Sequence, residues 1–330
     1  MVKAKKFIIK KNFNGFPEET DVQIEEEYLP TLQDGEFLCE SLYISVDPYQ
    51  RCYAQKVGDV ALGILIARVI ESKNPKYLVG NHVVVDYGWK TYHIHNGAPS
   101  MWGIPPIIID ENLDVPLSYF LGVLGHTGLS AYFGLLRICR PKPGETVIVS
   151  GAAGAVGSIA GQIAKIKGCK VLGVVGTNEK GLWITKELGF DGYINYKTEN
   201  VSQALDVLAP EGIDCYFDNV GGTISSQILK HMKVYGRIAV CGSISNYNDT
   251  EETKIPAFQI TLIFKQLKME GFLLTQYVEE LDEGMNDLAR WIKEGKLKSK
   301  ETITKGFENT FKAFTDMLKG INFGKAVVEL

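Results

Sequence analysis

The chain has 330 residues, 45% hydrophobic and 22% charged, an ordinary globular composition with room for two domains. Lys and Arg number 35 against 39 Asp and Glu, and the net charge of −4 disfavours nucleic acid or an anionic membrane as main partner. The opening MVKAKKFIIKKNF is basic but its apolar run is too short for a signal-peptide core, and no segment has the apolar length of a bilayer span.

Six cysteines (Cys39, Cys52, Cys139, Cys169, Cys215, Cys241) lie scattered without CxxC spacing, which reads as reduced core residues rather than a disulfide framework or zinc site. A soluble cytoplasmic protein is expected.

Up to about residue 120 the chain offers short strand-like runs, among them EFLCESLYISV (36–46), ILIARVI (64–70) and HVVVDYG (82–88). Turns bearing Gly and Pro separate them, which predicts a mostly-β domain over 1–120. From there the rhythm is strand then helix. TVIVSG (146–151) leads to a helix over 155–168, and KVLGVVG (170–176) to one ending near 188. GYIN (192–195) is followed by a helix over 199–208, and DCYFDNV (214–220) by one over 223–233. RIAVCG (237–242), a helix at 256–266 and KMEGFLL (268–274) complete six β-runs, the pattern of a doubly wound parallel sheet over 121–299. Helices at 277–294 and 307–319 follow, and the strand GKAVVEL is expected to return with 300–330 to the first domain.

SGAAGAVGS (150–158) sits between a strand and an amphipathic helix, the setting a dinucleotide loop needs. Gly151 closes the strand, Gly154 lets backbone approach a diphosphate, and Gly157 lets the helix pack on the sheet. The amides of Gly154, Ala155, Val156 and Gly157 open the helix, where its dipole favours phosphate. An NAD site normally ends its second strand with an acid. Here that place holds Gly176, Thr177 and Asn178, with Lys180 beyond, which favours the 2′-phosphate of NADPH; Glu179 is the competing reading, an acid displaced by a few residues.

The β-domain followed by this sheet resembles the medium-chain dehydrogenase/reductase superfamily, whose first domain is GroES-like. Its zinc alcohol dehydrogenases carry a Cys within the segment matching SVDPYQR (45–51), then Gly-His-Glu. This chain has Asp47 and Pro48 there, and Gly63 without His or Glu, so no metal ligand set is expected. Without a Lewis acid to hold a localised alkoxide, hydride addition to an activated C=C bond is the better fit, because its enolate is already delocalised.

SVDPYQR, GLSAYFGLL (128–136), GFDGYINYK (189–197), CYFDNVGG (215–222), GRIAVCGSISNYN (236–248) and FGKAVVEL (323–330) together resemble the zinc-independent, NADPH-dependent alkenal/enone reductases of that superfamily, nearly end to end. The resemblance implies that Lys180 and Tyr196 meet the 2′-phosphate and that Asn219 lies over the cofactor. It implies that Cys241, Gly242, Ser243, Ile244, Ser245, Asn246 and Tyr247 wrap the nicotinamide ribose. Phe272, Leu273 and Leu274 would present backbone to the carboxamide, and Asn322 would close from the first domain. Tyr247 would be the polar group nearest the enone, donating a proton or orienting, and Tyr49 would line the substrate cleft; packing is the competing reading for Tyr49, and turn formation for Asn219.

His126 and Thr127 depart from the family pattern beside the expected nicotinamide pocket, so His126 is a further substrate candidate. The stretch 93–114 matches the family poorly. The implied substrates are small apolar enals and enones, 15-keto-prostaglandins and lipid-derived alkenals among them, with oxidation of the leukotriene B4 12-hydroxyl as a second activity. The implied assembly is a homodimer. A quinone reductase of the same superfamily and a non-catalytic NADPH-binding protein are the alternatives.

Overall fold

Charged and apolar residues alternate in KAKKFII and VQIEEEY, which pair antiparallel as β1 (Lys3–Ile9) and β2 (Val22–Tyr28), with Lys5 opposite Glu26 and Lys6 opposite Glu25. The computed structural model describes residues 1–53 and 55–330, which divide into two units, 1–122 with 301–330, and 123–300.

In the first unit, β3 (Phe37–Val46), β4 (Ile64–Ser72), β5 (His82–Asp86) and β7 (Ile107–Ile108) are successive antiparallel neighbours, and β6 (Tyr92–His95) pairs with β3. A single turn of helix, α1 (Tyr49–Cys52), follows β3.

The second unit opens with α2 (His126–Phe133), continued by a π-helical stretch Gly134–Cys139. Its strands are β8 (Thr146–Ser150), β9 (Lys170–Val175), β10 (Gly192–Asn195), β11 (Ile213–Asp218), β12 (Met232–Val240) and β13 (Lys268–Gly271). They form one parallel sheet in the order β10-β9-β8-β11-β12-β13, the doubly wound arrangement. Buried on both faces, its central strands are continuous apolar runs; every residue of β8 is buried.

The helices are α3 (Ala155–Ile166), α4 (Asn178–Leu188), α5 (Val201–Leu208), α6 (Gly222–Leu229), α7 (Gln259–Lys265) and α8 (Leu281–Lys293). Thr177 and Asn200 cap α4 and α5 by accepting amides of Lys180 and Gln203.

The helix expected over 223–233 ends at Leu229, and β12 already begins at Met232. Ile228, Leu229 and Met232 keep helical spacing by coincidence: Met232 pairs with Ile213 of β11, and Tyr235 at φ 67 breaks any helix. The helix expected over 277–294 is a 3-10 stretch Leu274–Glu280 and then α8, and the one expected over 307–319 has a 3-10 turn Phe307–Asn309 before α9 (Thr310–Leu318).

The chain then completes the first unit. β14 (Glu301–Lys305) runs parallel to β15 (Lys325–Glu329), which pairs antiparallel with β3. The resulting core gathers Phe7, Phe37, Ile44, Leu65 and Trp89 with Phe307, Phe311 and Phe314 from the C-terminal segment. No helix among the described residues is long and apolar enough to cross a membrane.

Candidate cofactor and active site

The residues expected to bind and react fall in both units, and each set has its own geometry. In the second unit the loop after β8 spaces its glycines as G-x-x-G-x-x-G, with Ala152 and Ala153 after the first. Ala152 and Ala153 are buried, and the Ala152 amide donates to Val174 O at 3.1 Å, so these two residues are pieces of the sheet core. Gly151 takes a positive φ of 61°. A Cβ on Gly157 would stand 2.3 Å from Gly151 O, whereas one on Gly154 meets nothing nearer than Gly151 O at 3.2 Å. Gly157 is therefore demanded by packing, and Gly154 leaves open backbone. Gly154 gives α3 no side-chain cap, which leaves the first helix amides, at Ala155, Val156 and Gly157, for an anion.

At the end of β9, a Cβ on Gly176 would lie 3.3 Å from the Tyr196 hydroxyl and 3.5 Å from Lys197 Cε. Lys180 is held below the usual lysine pKa, first by burial and then by the nearby charge of Lys197, with Glu179 opposing. The structure thus adds Lys197, the neighbour of Tyr196 in INYK, to the group around Gly176. Asn178 is occupied structurally, accepting from Asn195 Nδ2 at 2.9 Å.

The wall beside this loop is built on Asp218, which sequence reading passed over in favour of Asn219. Asp218 is 4% exposed and accepts Ser150 Oγ at 2.9 Å, Ser225 Oγ at 2.5 Å and the amides of Val220 and Gly221 at 2.9 Å. Its carbonyl takes the amides of Cys241 and Gly242. Asn219 donates Nδ2 to Ser150 O at 2.8 Å and accepts Ile244 N at 3.3 Å, so it ties β8 to the 241–247 loop. Gly221 and Gly222 have φ of 71° and 60°, and Cβ atoms there would meet Ser243 Oγ at 2.2 Å and Ser245 Oγ at 2.8 Å.

The Tyr247 oxygen accepts the Ser243 amide at 3.0 Å, and a Cβ on Gly242 would press on it at 3.0 Å. Ser245 Oγ donates to Val220 O at 2.6 Å, and Asn246 Oδ1 accepts Ser243 Oγ and Ser245 Oγ at 2.9 Å. Burial, then Asp218, pushes the Cys241 thiol up to about 12, which leaves it unreactive.

Phe272 and Leu274 are buried anchors, Phe272 against Gly134 and Phe217, while Leu273 is 57% exposed. The Leu273 amide and carbonyl meet Gln276 at 3.4 and 3.0 Å, so both backbone groups already have local partners. His126 is exposed at the start of α2, its carbonyl accepting Ser130 Oγ at 2.8 Å.

In the first unit, Tyr49 opens α1 with its hydroxyl buried and raised well above the ordinary phenol range, by burial, then Asp47, Asp86 and Tyr53. Its ring lies 5.9 Å from Tyr53 and 6.4 Å from Trp102. Asn322 donates Nδ2 to Gly324 O at 2.7 Å in the turn before β15.

Two other constellations carry suggestive residue types. Ser202 Oγ lies 2.7 Å from His231 Nε2, but Asp206 stands 3.7 Å from Nδ1, too far for a hydrogen bond. The amides of Ser202 and Gln203, which an oxyanion hole would need, go to Gln227 and Asn200. In SVDPYQR, Asp47 is engaged by Lys325 at 2.9 Å and by Ser45, and among the described residues no three His, Cys, Asp or Glu gather as metal ligands. These residues do not fit zinc.

An antiparallel unit built from both ends of the chain and a parallel sheet with a glycine loop after its first strand define a medium-chain dehydrogenase/reductase. Residues 5–102 match the family described as the N-terminal domain of oxidoreductase, and 155–291 the one described as zinc-binding dehydrogenase. The chain is 47% identical to prostaglandin reductase 1 of Bos taurus, over 100% of both chains. It is 38% identical to the NADP(+)-dependent 2-alkenal reductase of Nicotiana tabacum, covering 99% of this chain and 97% of that one. The crystal structure of CurA from Vibrio vulnificus in complex with NADPH superposes with a TM-score of 0.91 at 35% identity, covering 98% of each chain. The chain belongs to the prostaglandin reductase 1 family, a zinc-independent branch of the medium-chain dehydrogenase/reductases.

Proposed function

We propose that this protein is a cytoplasmic, NADPH-dependent reductase of the C=C bond of α,β-unsaturated aldehydes and ketones. The observation that carries the reading is the basic cluster of Lys180 and Lys197 around Gly176, in a chain related end to end to an NADP(+)-dependent 2-alkenal reductase. The residues present fit the dinucleotide. The uncapped amides of Ala155, Val156 and Gly157 bind the diphosphate, and Lys180, Lys197 and Tyr196 bind the 2′-phosphate. When bound, NADPH supplies the hydride that is added to the β-carbon.

The chain's own part is to hold and place. Asp218 and Asn219 fix the 241–247 loop, and the Ser243 amide orients the Tyr247 hydroxyl so that it donates to the oxygen on which negative charge develops. Tyr49 lines the approach of the apolar substrate; of the second unit, His126 is a further substrate residue of this reading, and Asn322 is one of its cofactor residues. Lipid-derived alkenals and 15-keto-prostaglandins are the substrates of this reading.

NADPH oxidation with a panel of enals, a 15-keto-prostaglandin and a quinone is the test, repeated with Tyr247→Phe. Turnover of the enals is expected, with kcat in the variant lower by about tenfold to a hundredfold. Binding of NADPH without oxidation of any of them would sink the enzyme reading, and a quinone-only response would select a quinone reductase. Unchanged kcat and KM in Tyr247→Phe would remove Tyr247 from the mechanism.

We further propose a homodimer through the free edge of the parallel sheet. All of β13 is exposed, as are Ile260, Ile263 and Phe264 of α7, at 67%, 69% and 78%. An antiparallel pairing of two copies about Met269 sets Lys268 opposite the partner's Glu270, a self-complementary edge. Light scattering is expected to give twice the chain mass, and a monomer at micromolar concentration refutes the pairing.

A further inference from the structure

In the parallel sheet β9 and β10 lie to one side of β8, the first strand, and β11, β12 and β13 to the other. The crevice where such a sheet takes its ligand therefore opens at the carboxyl ends of β8 and β11. Ser150 closes β8 and Asp218 closes β11, and the Ser150 hydroxyl donates to Asp218 Oδ1 at 2.9 Å. Asp218 only accepts: Oδ1 also takes the amides of Val220 and Gly221, and Oδ2 takes Ser225 Oγ. Behind the two serines, the Tyr216 hydroxyl lies 3.2 Å from Ser150 Oγ and 2.8 Å from Ser225 Oγ. Four donors and no acceptor suit an ionised carboxylate. Asp47, equally buried at 4% exposed, is neutralised by Lys325, whereas Asp218 forms no ion pair among the described residues. Its charge is solvated by dipoles and is not cancelled. The turn after it is wrapped by the 241–247 loop: Asp218 O takes the amides of Cys241 and Gly242, and Val220 O takes that of Ser245 at 3.1 Å. The field of Asp218 reaches this loop, where it adds to the burial that raises the Cys241 thiol.

We propose that Asp218 is a fixed negative charge at the cofactor crevice, one that favours the oxidised, cationic nicotinamide over the neutral reduced ring and so makes bound NADPH a stronger hydride donor. The proposal rests on the reading that the 241–247 loop meets the nicotinamide ribose. Hydride transfer to the β-carbon turns a neutral ring into a cation and the substrate into an enolate, which then takes a proton at the α-carbon. A buried anion near the ring stabilises the cation. A site that binds the oxidised form relatively more tightly shifts the bound couple toward donation by the same factor. Comparing the two cofactor forms without substrate isolates this effect from the enolate.

Isothermal titration of the full-length protein gives Kd for NADPH, for NADP+ and for 2′,5′-ADP, which carries the 2′-phosphate without the nicotinamide. Asp218→Asn is expected to raise the ratio of the NADP+ Kd to the NADPH Kd about tenfold, and to leave the Kd of 2′,5′-ADP within about twofold. The diphosphate is common to both cofactors and cancels in the ratio. Asparagine keeps the shape: its oxygen takes the Val220 and Gly221 amides, and the Ser225 hydroxyl turns to accept its N–H. Ser225→Ala removes a donor but keeps the charge, and is expected to hold the wild-type ratio within about twofold. Asp218→Ser, with its melting temperature checked beside that of the wild type, repeats the test should the Asn variant fold poorly. An unchanged ratio in the folded Asp218 variants, or a matching loss for all three ligands, overturns the role of Asp218 and leaves the reductase standing. Gly242→Ala, whose Cβ meets the Tyr247 oxygen at 3.0 Å, tests the loop itself and is expected to weaken both cofactors while sparing 2′,5′-ADP. No such loss would move the loop off the nicotinamide ribose, and this inference falls with that reading.

Discussion

Lys180→Glu is expected to lower kcat/KM for NADPH by about a hundredfold while leaving that for NADH within about threefold, since a charge-assisted hydrogen bond contributes about 1.5–3 kcal/mol. The two cofactors differ only in the 2′-phosphate, so the ratio isolates the contact. Lys180 and Lys197 are like charges brought together at the end of β9, and burial and Lys197 both push Lys180 toward its neutral form. Glu179 offsets this only in part. A dianionic phosphate between the two ammonium groups would reverse the sign of the local field, so the cluster is more comfortable with ligand than without. Lys197→Ala is expected to show the same selectivity at about a tenfold loss, because Lys180 remains. Steady-state kinetics with both cofactors decides it. Equal losses for NADPH and NADH would mean that these lysines support the fold and do not read the 2′ position.

The parallel sheet was legible in the chain because its strands are sealed on both faces. TVIVS and KVLGVV can scarcely be read otherwise, and Thr177, Asn200 and Gly189 punctuate their helices by ordinary capping chemistry. β1 and β2 were hidden, since Lys and Glu side chains facing each other across a pair make both strands look like surface loops. β7 has only two residues and β14 alternates without a strong apolar face, so neither carries a periodic signal.

In the candidate site, the glycines stood out because a left-handed turn and a close helix–sheet approach restrict residue type, and Lys180 because it follows a strand end that lacks an acid. Asp218 did not, although it adjoins Asn219: its partners Ser150 and Ser225 come from other elements, and only the folded sheet brings them to one carboxylate. Lys197 did leave a signal, a basic residue after Tyr196, but it needed its neighbours in space before it meant anything.

The largest stability effect is expected at Lys325→Met, about 3–5 kcal/mol, because it strands a buried carboxylate. Asp47 of SVDPYQR and Lys325 of FGKAVVEL meet because β15 lies antiparallel to β3, with Ala326 opposite Val46. Their side chains are 6% and 2% exposed. The ammonium reaches Val46 O at 2.8 Å, Asp47 Oδ1 at 2.9 Å and Ala326 O at 3.0 Å, three acceptors for three protons. The second Asp47 oxygen accepts Ser45 Oγ, the Asp47 amide donates to Gln50 Oε1 at 2.9 Å, and Gln50 Nε2 donates to Leu62 O at 2.8 Å. This network fastens the C-terminal strand to β3 and to the start of α1, where Tyr49 sits. Removing the lysine leaves an unpaired buried charge, with a fall in melting temperature of about 10 °C. The double variant Lys325→Met with Asp47→Leu is expected to recover much of that loss, because an apolar pair of similar volume avoids the desolvation of two charges. Thermal and urea unfolding of the three proteins give the comparison. A single variant within about 1 kcal/mol of wild type would show that the pair is not the clasp it is taken for, and a double variant worse than the single would place the stability in the Ser45 and Gln50 hydrogen bonds that Asp47 organises.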